Sequence, residues 1–484
     1  MNHQDTTPAM DWQKKGLQGI LLLLGIFFLS KMLQIQTPLF HDELGVYGRA
    51  LFYMVDNGPS MLPGSVDAEI SRGHPLFFAF FVGQIASWFG GSYMVARAVI
   101  LLLSLGLLAT TYAFGKAIWN EKMGLLAAMI LAVQPIFFAQ STLVLPEVML
   151  ALLGMLSLLF YVQKRYWAYF VAASLLVLTK ETGIVIPAGI GLHLLLLNKF
   201  RLDLPLIGRG LKWAAPFSLF VGFLVLQYIQ KGWVFFPYHE SLISFAPLSL
   251  LIRLTLGLLI LFLDQGRFLL TFATIIALRR MQQEERAIFW QKNALSICIV
   301  ITMLVFSSLN YFMPRYFLLV LPLVLLGHLS VLTTRGYTIK HLVIYFLLCL
   351  PFQCNFFVFR NDDNMGYLIV VKNMQKSIAK LDEVTAGKQV KVFAEFPEIN
   401  ALEEIRNGYT TNPNYILTTV YDETVDYIIK SGNEHLIMDE TINNVDYGLD
   451  KNVEGVINDP NSKMDLLYDE TSFYNRQRIY RTNN

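Results

Sequence analysis

The sequence predicts an α-helical polytopic membrane protein that carries a small mixed α/β domain at its C-terminal end. Hydrophobic residues make up 55% of the 484 residues and charged residues only 15%, against about 25% charged in ordinary globular chains. The charges are also unevenly divided, because residues 361–484 hold 21 Asp/Glu and 12 Lys/Arg, whereas residues 1–360 hold 15 and 26. We therefore expect a membrane domain over residues 1–360 and a soluble, acidic domain over residues 361–484.

Apolar stretches of about the 20 residues that a membrane span needs recur along the first domain. The first, Leu17–Ser30, follows Lys14 and Lys15 and has no small-residue cleavage site after it, so we interpret it as a retained span. The others lie near residues 94–115, 123–140, 147–163, 166–179, 184–198, 213–230, 250–278, 293–311, 316–333 and 341–359. The count is about eleven spans, or up to 13 if the ambiguous stretches 75–89 and 250–278 contribute more.

Basic residues fall in every second loop between these stretches, as expected for loops on the cytoplasmic side. They are Lys116 and Lys122, Lys164 and Arg165, those of residues 199–212 and 279–292, and Arg335 with Lys340. The alternation holds if the short apolar stretch 75–89 lies at the membrane surface instead of crossing it. The N-terminus is then cytoplasmic, residues 37–93 form a first outer loop with interfacial helices, and the C-terminal domain lies on the outer face.

The C-terminal domain alternates strand-like runs at 390–396 and 427–430 with an amphipathic stretch at 368–381. It contains no phosphate loop, nucleophile elbow or metal-ligand cluster, so we assign it no chemistry. Its acidic balance excludes nucleic-acid binding as a leading function. Three cysteines lie in apolar runs without a C-x-x-C spacing, and they indicate neither a disulfide framework nor a zinc site; they are Cys298, Cys349 and Cys354.

Charged side chains gather at the outer ends of the predicted spans, where they are costly unless they pair, reach water or serve a site. The first outer loop contains His41-Asp42-Glu43, Tyr47 and, at its end, Arg72-Gly73-His74-Pro75. The later outer turns contain Pro146-Glu147, Lys180-Glu181-Thr182-Gly183 and Pro314-Arg315-Tyr316.

The order of these residues resembles that of the GT-C glycosyltransferases, the multi-span enzymes that use polyprenyl-phosphate sugars. The shared pattern is Asp-Glu at the start of a long first outer loop, His-Pro at its end, an acidic residue in the second outer turn, Lys-x-x-Gly in the third, and Pro-Arg-Tyr with Pro322 behind it. The protein O-mannosyltransferases and the bacterial lipid A aminoarabinose transferases look most similar. The resemblance covers about residues 15–330, and it departs at Glu147, where many relatives have Asp.

The resemblance implies an inverting transferase that moves one sugar from a polyprenyl-phosphate donor to a protein, lipid or glycan acceptor on the outer face. It implies Asp42 as the carboxylate that takes the acceptor's proton, with Glu43 and Glu147 as further catalytic candidates. Chain neighbours in a helix do not face the same way, so only one of Asp42 and Glu43 should point into the site. Simpler interpretations remain open, because Asp42 could cap a helix that begins at Glu43, and Glu147 follows Pro146 at a helix start, where a carboxylate suits the dipole.

The departing phosphate gains negative charge, which Lys and Arg stabilise and which Arg can grip through two donors. Lys180 and Arg315 are the candidates for this role, and we expect His74, Tyr47 and Tyr316 to help bind the donor. Alternatively, Lys180 with Glu181 and Arg315 with Tyr316 could be interfacial anchors, and His74 a loop residue fixed by Pro75. The sequence establishes no cofactor, and a divalent metal at the phosphate stays open. Elsewhere, Arg97 should pack or snorkel at the start of its span, and Asp264 should pair with Arg267.

The main alternative from another class is a polytopic lipid or solute transporter. Transporters place ionisable groups near the membrane midplane and often consist of related halves. Here the charged residues lie at one face, and the sequence shows no internal repeat. A scaffold that presents the C-terminal domain would leave the ordered outer charges unexplained. The lack of an ER-retention signal and the compact outer loops favour a bacterial inner membrane, with the C-terminal domain in the periplasm.

Overall fold

The computed structural model describes residues 7–243, 245–310, 313–337, 339–354, 363–432, 451–459, 464–472 and 475–483. Apolar helices occupy most of residues 7–354, and a small mixed sheet with its own helices follows. The predicted fold class, a helical membrane protein with a C-terminal α/β domain, is confirmed. The predicted domain boundary at residues 360 and 361 lies outside the described residues.

The helices of the first part follow one another with short connections. They are α1 (Thr7–Lys31), α2 (Gly48–Asn57), α3 (Ala68–Ser71), α4 (Phe77–Trp88), α5 (Tyr93–Ile118), α6 (Glu121–Ala132), α7 (Pro135–Gln140), α8 (Glu147–Val162), α9 (Tyr166–Thr179), α10 (Val185–Leu197), α11 (Leu204–Ala214), α12 (Phe217–Lys231), α13 (Pro237–Ser241), α14 (Pro247–Phe262), α15 (Arg267–Arg279), α16 (Gln283–Leu309), α17 (Leu321–Leu332) and α18 (Ile339–Cys349).

Within the described residues, three helical segments are long and apolar enough to cross a bilayer alone; they are Lys15–Gln36, Tyr93–Ile118 and Gln283–Leu309. Two bent pairs would bring that number to five, namely α11 with α12 at 60° and α14 with the segment Asp264–Arg279 at 41°. The remaining predicted stretches contain shorter apolar helices or, at residues 123–140, a broken pair. The protein is thus an integral membrane protein, and the count of about eleven crossings stays a prediction.

Several of the predicted apolar stretches are broken within their length, among them those at 250–278 and 123–140. The stretch at 250–278 is interrupted after Phe262, where Gln265 and Gly266 adopt left-handed backbone conformations (φ 51° and 86°). Asp264 and Arg267 pair across this turn at 3.5 Å, as expected. The stretch at 123–140 is interrupted after Ala132, and Pro135 then begins α7 at the first helical position, where its missing N–H costs nothing.

The first outer loop is largely helical. A π-helical turn over Glu43–Tyr47 leads directly into α2, and α2 packs against α4. At 12 residues, α4 is about 18 Å long, well short of a hydrocarbon core of about 30 Å. This length suits the interfacial position that we predict for it.

The C-terminal part forms a five-stranded sheet in the order β2-β1-β3-β5-β4. Its elements are α19 (Tyr367–Thr385), β1 (Val390–Ala394), α20 (Glu398–Glu403), β2 (Tyr415–Thr418), β3 (Tyr427–Ser431), α21 (Lys451–Asn458), β4 (Met464–Ser472) and β5 (Asn475–Thr482). β1 runs parallel to β2 and β3, whereas β5 is antiparallel to β3 and β4. The two predicted strands coincide with β1 and β3, and the predicted helix lies within α19.

Candidate active site

Four charged side chains from four separate segments form one chain of ion pairs. Asp42 pairs with Arg315, whose Nε lies 3.5 Å from Oε1 of Glu147. The Lys180 Nζ lies 3.2 Å from the same Glu147 oxygen. The side chains of Glu147, Lys180 and Arg315 are at most 2% exposed, whereas that of Asp42 is 24% exposed. The structure therefore brings together the carboxylates and cations that the sequence predicted at separate span ends, with Asp42 at the open end.

Asp42 stands immediately before the π-helical turn, but its side chain makes no capping hydrogen bond to that turn. The carboxylate pairs with Arg315 instead, so the capping interpretation does not match the structure. Glu147 is the first residue of α8, directly after Pro146. It thus occupies the helix start that the dipole favours and also pairs with two cations, and its catalytic role stays a prediction.

Lys180 follows the last residue of α9 with an extended backbone (φ −164°, ψ 151°). Its Nζ lies 4.0 Å from the centre of the Tyr316 ring and 5.9 Å from that of Tyr47, within the range of cation–π attraction. A Cβ on Gly183 would lie 2.6 Å from the backbone oxygen of Leu176. The glycine of Lys-x-x-Gly therefore lets the turn pack closely on α9, and Lys180 is directed into the protein instead of anchoring at the surface.

His74 lies beside this cluster and pairs with Glu181, Nδ1 to Oε2 at 2.9 Å. Its ring is nearly parallel to that of Tyr47, at 13° and 6.3 Å between centres, and lies 4.9 Å from the ring of His239 in α13. Burial alone would raise the pKa of Glu181, but the adjacent His74 ring and Lys180 hold that pKa below its usual range. His74 is thus fixed by partners on three sides, which a simple loop residue does not require.

Sequence patterns gave no role to His239. Burial and the neighbouring His74 lower the pKa of His239 to about 3, so its ring is neutral at neutral pH. The sequence indicates only that residue 239 falls in an outer loop. It does not reveal the contact with His74, because the two residues belong to segments that are far apart in the chain.

Glu43 faces away from Asp42, as expected for chain neighbours. Its side chain is fully buried, and Oε2 accepts hydrogen bonds from Arg97 Nη2 and from the Phe40 N–H, both at 2.8 Å. Its Oε1 accepts from the Val144 N–H at 2.5 Å. Arg97 is equally buried and also donates to the backbone oxygens of Pro38 and Thr142. This pair therefore links the first outer loop to the membrane helices, apart from the Asp42 cluster.

A metal site of the usual kind finds no support in the described part of the chain, where no group of three or more His, Cys, Asp or Glu side chains is placed to bind an ion. The cysteines at 298 and 349 are buried and free.

The fold is of the GT-C type. It is similar to the crystal structure of ArnT from Cupriavidus metallidurans in the apo state, with a TM-score of 0.57 and 12% identity over 96% of this chain and 98% of that one. The same protein bound to undecaprenyl phosphate matches 98% of this chain and 99% of its own, with a TM-score of 0.53 and 13% identity. An oligosaccharyltransferase from Archaeoglobus fulgidus in the apo form matches 86% of this chain and 69% of its own, with a TM-score of 0.49 and 10% identity.

In sequence, the family described as dolichyl-phosphate-mannose-protein mannosyltransferase matches residues 73–226. This range includes His74, Glu147 and Lys180, but neither Asp42 nor Arg315. No curated protein matches the sequence. The predicted resemblance to GT-C glycosyltransferases is confirmed by the family match and the fold together.

Proposed function

We propose that the protein is an inverting glycosyltransferase that moves one sugar from a polyprenyl-phosphate donor to a protein, lipid or glycan acceptor on the outer face of the membrane. The observation that carries this proposal is the chain Asp42, Arg315, Glu147 and Lys180, which joins a partly exposed carboxylate to one buried cation directly and to a second through Glu147. The match to a structure bound to undecaprenyl phosphate supports a polyprenyl-phosphate donor. A bacterial inner membrane, with the C-terminal domain in the periplasm, is part of the same proposal.

The two cations are balanced by two carboxylates, so a donor phosphate must compete for one of these pairs. The pair between Arg315 and Asp42 is the exchangeable one, because Asp42 is partly exposed whereas Glu147 is buried beneath both cations. A phosphate that binds the Arg315 guanidinium in place of Asp42 breaks the ion pair between Arg315 and Asp42. Asp42 then becomes a stronger base, because a nearby positive charge lowers the basicity of a carboxylate. Donor binding and the preparation of the base are then one event.

The released Asp42 takes the proton of the acceptor hydroxyl while the hydroxyl oxygen attacks the anomeric carbon from the side opposite the phosphate. The bond between that carbon and the phosphate oxygen breaks, and the phosphate leaves with the electron pair, so the anomeric configuration inverts. Lys180 and Arg315 stabilise the charge that grows on the phosphate. The Glu147 Oε2 is buried and has no hydrogen-bond partner among the described residues, which suits it to accept a hydrogen bond from a hydroxyl of the sugar.

The test is to incubate the purified protein with a panel of polyprenyl-phosphate sugars and to measure which one loses its sugar. One donor should be consumed, and Arg315→Lys should slow its use because lysine lacks the planar pair of donors. Arg476→Lys is the matched control. Arg476, like Arg315, contacts carboxylate oxygens through Nε and Nη2, but it lies at the surface of the C-terminal domain. A folded protein that consumes no donor, or a variant pair with equal rates, would contradict the proposal.

A further inference from the structure

We propose that the C-terminal domain is a positioning part of the active site, in which Phe396 fixes the loop segment 39–45 and thereby sets the place of Asp42. This inference rests on the proposed function, in which Asp42 is the base. It assigns a role to a domain in which the sequence shows no chemistry of its own.

The C-terminal domain forms hydrogen bonds with both the backbone N–H and the backbone carbonyl of Leu39, three residues before Asp42. The Leu39 N–H donates to the backbone oxygen of Asn407 at 3.2 Å. The Leu39 carbonyl accepts from the hydroxyl of Tyr409 at 2.8 Å. Leu39 is 1% exposed and Tyr409 is 7% exposed, so these hydrogen bonds are shielded from water. The loop backbone is therefore fixed to the domain at this point.

Phe396 contacts the loop on both sides of Asp42. Its ring meets the His41 ring edge-on, with centres 5.0 Å apart and planes at 79°. It also lies against Gly45, where a Cβ would be 3.1 Å from the Phe396 ring. His41 has a left-handed backbone (φ 49°), a conformation that non-glycine residues keep only when their surroundings impose it. The His41 Nδ1 lies 3.3 Å from the Asp42 Oδ1. The Phe396 ring therefore holds His41, which is both the chain neighbour of Asp42 and in contact with its carboxylate.

Buried polar contacts hold Phe396 itself in place. Glu395 pairs with Lys430 at 2.8 Å, and both side chains are 7% exposed. Glu398 accepts hydrogen bonds from Gln477 at 2.8 Å and from Ser431 at 3.2 Å. These contacts join the carboxyl ends of the parallel strands β1 and β3, the edge at which open α/β sheets usually bind ligands. Here that edge presents a fixed aromatic ring to the loop of Asp42.

The opposite side of the same loop segment is held by the membrane domain, through the buried pair of Glu43 and Arg97. Further along the loop, Arg406 grips both oxygens of Asp56 at 2.8 Å, although exposed pairs of this kind contribute little stability. Asp42 therefore lies on a segment clamped between two domains. If one side of the clamp is loosened, the carboxylate should shift while the fold persists.

The experiment is Phe396→Ala in the full-length chain, assayed for sugar transfer. A displacement of about 1 Å at a reacting group can lower a rate by about a hundredfold, so we expect kcat to fall by about ten- to a hundredfold. The KM for the donor should not rise, because a displaced Asp42 competes less strongly with the phosphate for Arg315. Phe396→Leu should restore most of the rate because it refills the contact. Ile416→Ala, an exposed position in β2 of the same domain, should leave kcat unchanged. Tyr409→Phe removes only the hydroxyl that holds Leu39 and should give a smaller loss, so it tests the clamp even if Phe396→Ala does not fold.

A double-mutant cycle separates positioning from a merely structural role. In an Asp42→Asn background, Phe396→Ala should cause no further loss, because residues that act through one another are not additive. Equal losses in the two backgrounds, or an unchanged kcat in Phe396→Ala and Tyr409→Phe, would overturn the inference.

Amide hydrogen exchange gives a readout that does not need activity. Residues 39–45 should exchange at least tenfold faster in Phe396→Ala than in the parent, while the amides of α8 stay the same. Unchanged exchange in the loop would also overturn the inference. If the parent protein transfers no sugar but the exchange result holds, the proposed function fails and the clamp stands.

Discussion

Asp42 and Glu43 are chain neighbours of the same chemical type, yet the structure gives them opposite surroundings. Asp42 is partly open and pairs with one arginine that a phosphate could take. Glu43 is fully enclosed, and its two oxygens accept three hydrogen bonds. The two carboxylates should therefore respond differently to the same chemical change, an amide in place of the acid.

Asp42→Asn should lower the rate of sugar transfer by about a hundredfold to ten-thousandfold, as loss of a general base typically does. Its stability should fall by less than that of Glu43→Gln, because the Asp42 side chain is 24% exposed and Arg315 keeps Glu147 as a second carboxylate. Turnover and thermal unfolding should be measured on one preparation. A variant that keeps its rate within a few-fold of the parent would remove Asp42 from the role of base.

Glu43→Gln should instead destabilise the protein by about 3–5 kcal/mol, because it leaves the buried Arg97 without its carboxylate. The measurement is the thermal midpoint in detergent. The transfer rate per folded molecule should fall less than in Asp42→Asn, because Glu43 holds the loop of Asp42 but is not itself the proposed base. A stable Glu43→Gln protein with little turnover would reverse the assignments of the two carboxylates.

The residues of the site could be predicted from the sequence because each stands at the end of an apolar run, where a charge is unexpected. Their partners could not be predicted. Nothing near Lys180 in the chain indicates Glu147 as its partner, and nothing near His74 indicates Glu181 or His239, because these contacts are set by how the helices pack. The burial of Glu43 likewise depends on Arg97 and Val144, both remote in sequence.

At the scale of elements, the turn between α9 and α10 places Lys180. Gly183→Ala should destabilise the protein by about 1–3 kcal/mol, the usual cost of an extra methyl group in a close-packed site, because its Cβ would lie 2.6 Å from the Leu176 oxygen. Donor use should weaken as the turn shifts. Gly191→Ala in α10 is the matched control, since nothing lies within 4 Å of its Cβ, and it should be neutral or slightly stabilising. Equal unfolding midpoints for the two variants would contradict this account of the glycine.

The helix α13 should respond to pH through His239. The pKa of this residue is about 3 in the folded protein against an ordinary value of 6.5. As the pH falls below 6.5, the unfolded chain takes up a proton that the folded protein resists, so the free energy of unfolding should decrease between pH 6.5 and about 3. Burial and the charges of Arg72 and Lys180 oppose that proton, whereas Glu181 favours it. Thermal unfolding at pH 7.5 and pH 5 should show a smaller decrease for His239→Gln than for the parent, and equal decreases would refute this role.

Helices and strands could be predicted where the spacing of apolar residues or a turn residue marks them in the sequence. The predicted strands at 390–396 and 427–430 coincide with β1 and β3, because short β-branched runs end in turn residues there. The breaks inside 123–140 and 250–278 could not be located in advance. Both breaks lie within continuous apolar sequence. Pro135 and Gly266 mark positions where a helix can end, but the packing of the neighbouring helices decides whether it does.

At the scale of the whole molecule, the alternation of basic loops predicts that the C-terminal domain lies outside the cytoplasm. A reporter that works only in the cytoplasm should be silent when fused after Asn484 and active when inserted after Arg280, within a basic loop. Activity at both positions would overturn the assignment of the loops, and with it the proposal that the site opens on the outer face.

The contact between Leu39 and Tyr409 joins residues that are 370 positions apart in the chain. The loop that bears Asp42 is therefore translated well before the residues of the C-terminal domain that clamp it. During translation, Lys180 and Arg315 can therefore be in position before the loop of Asp42 is clamped. On this view the timing of synthesis affects the candidate site, because the loop of Asp42 is held in place only once the C-terminal domain has been made and has docked.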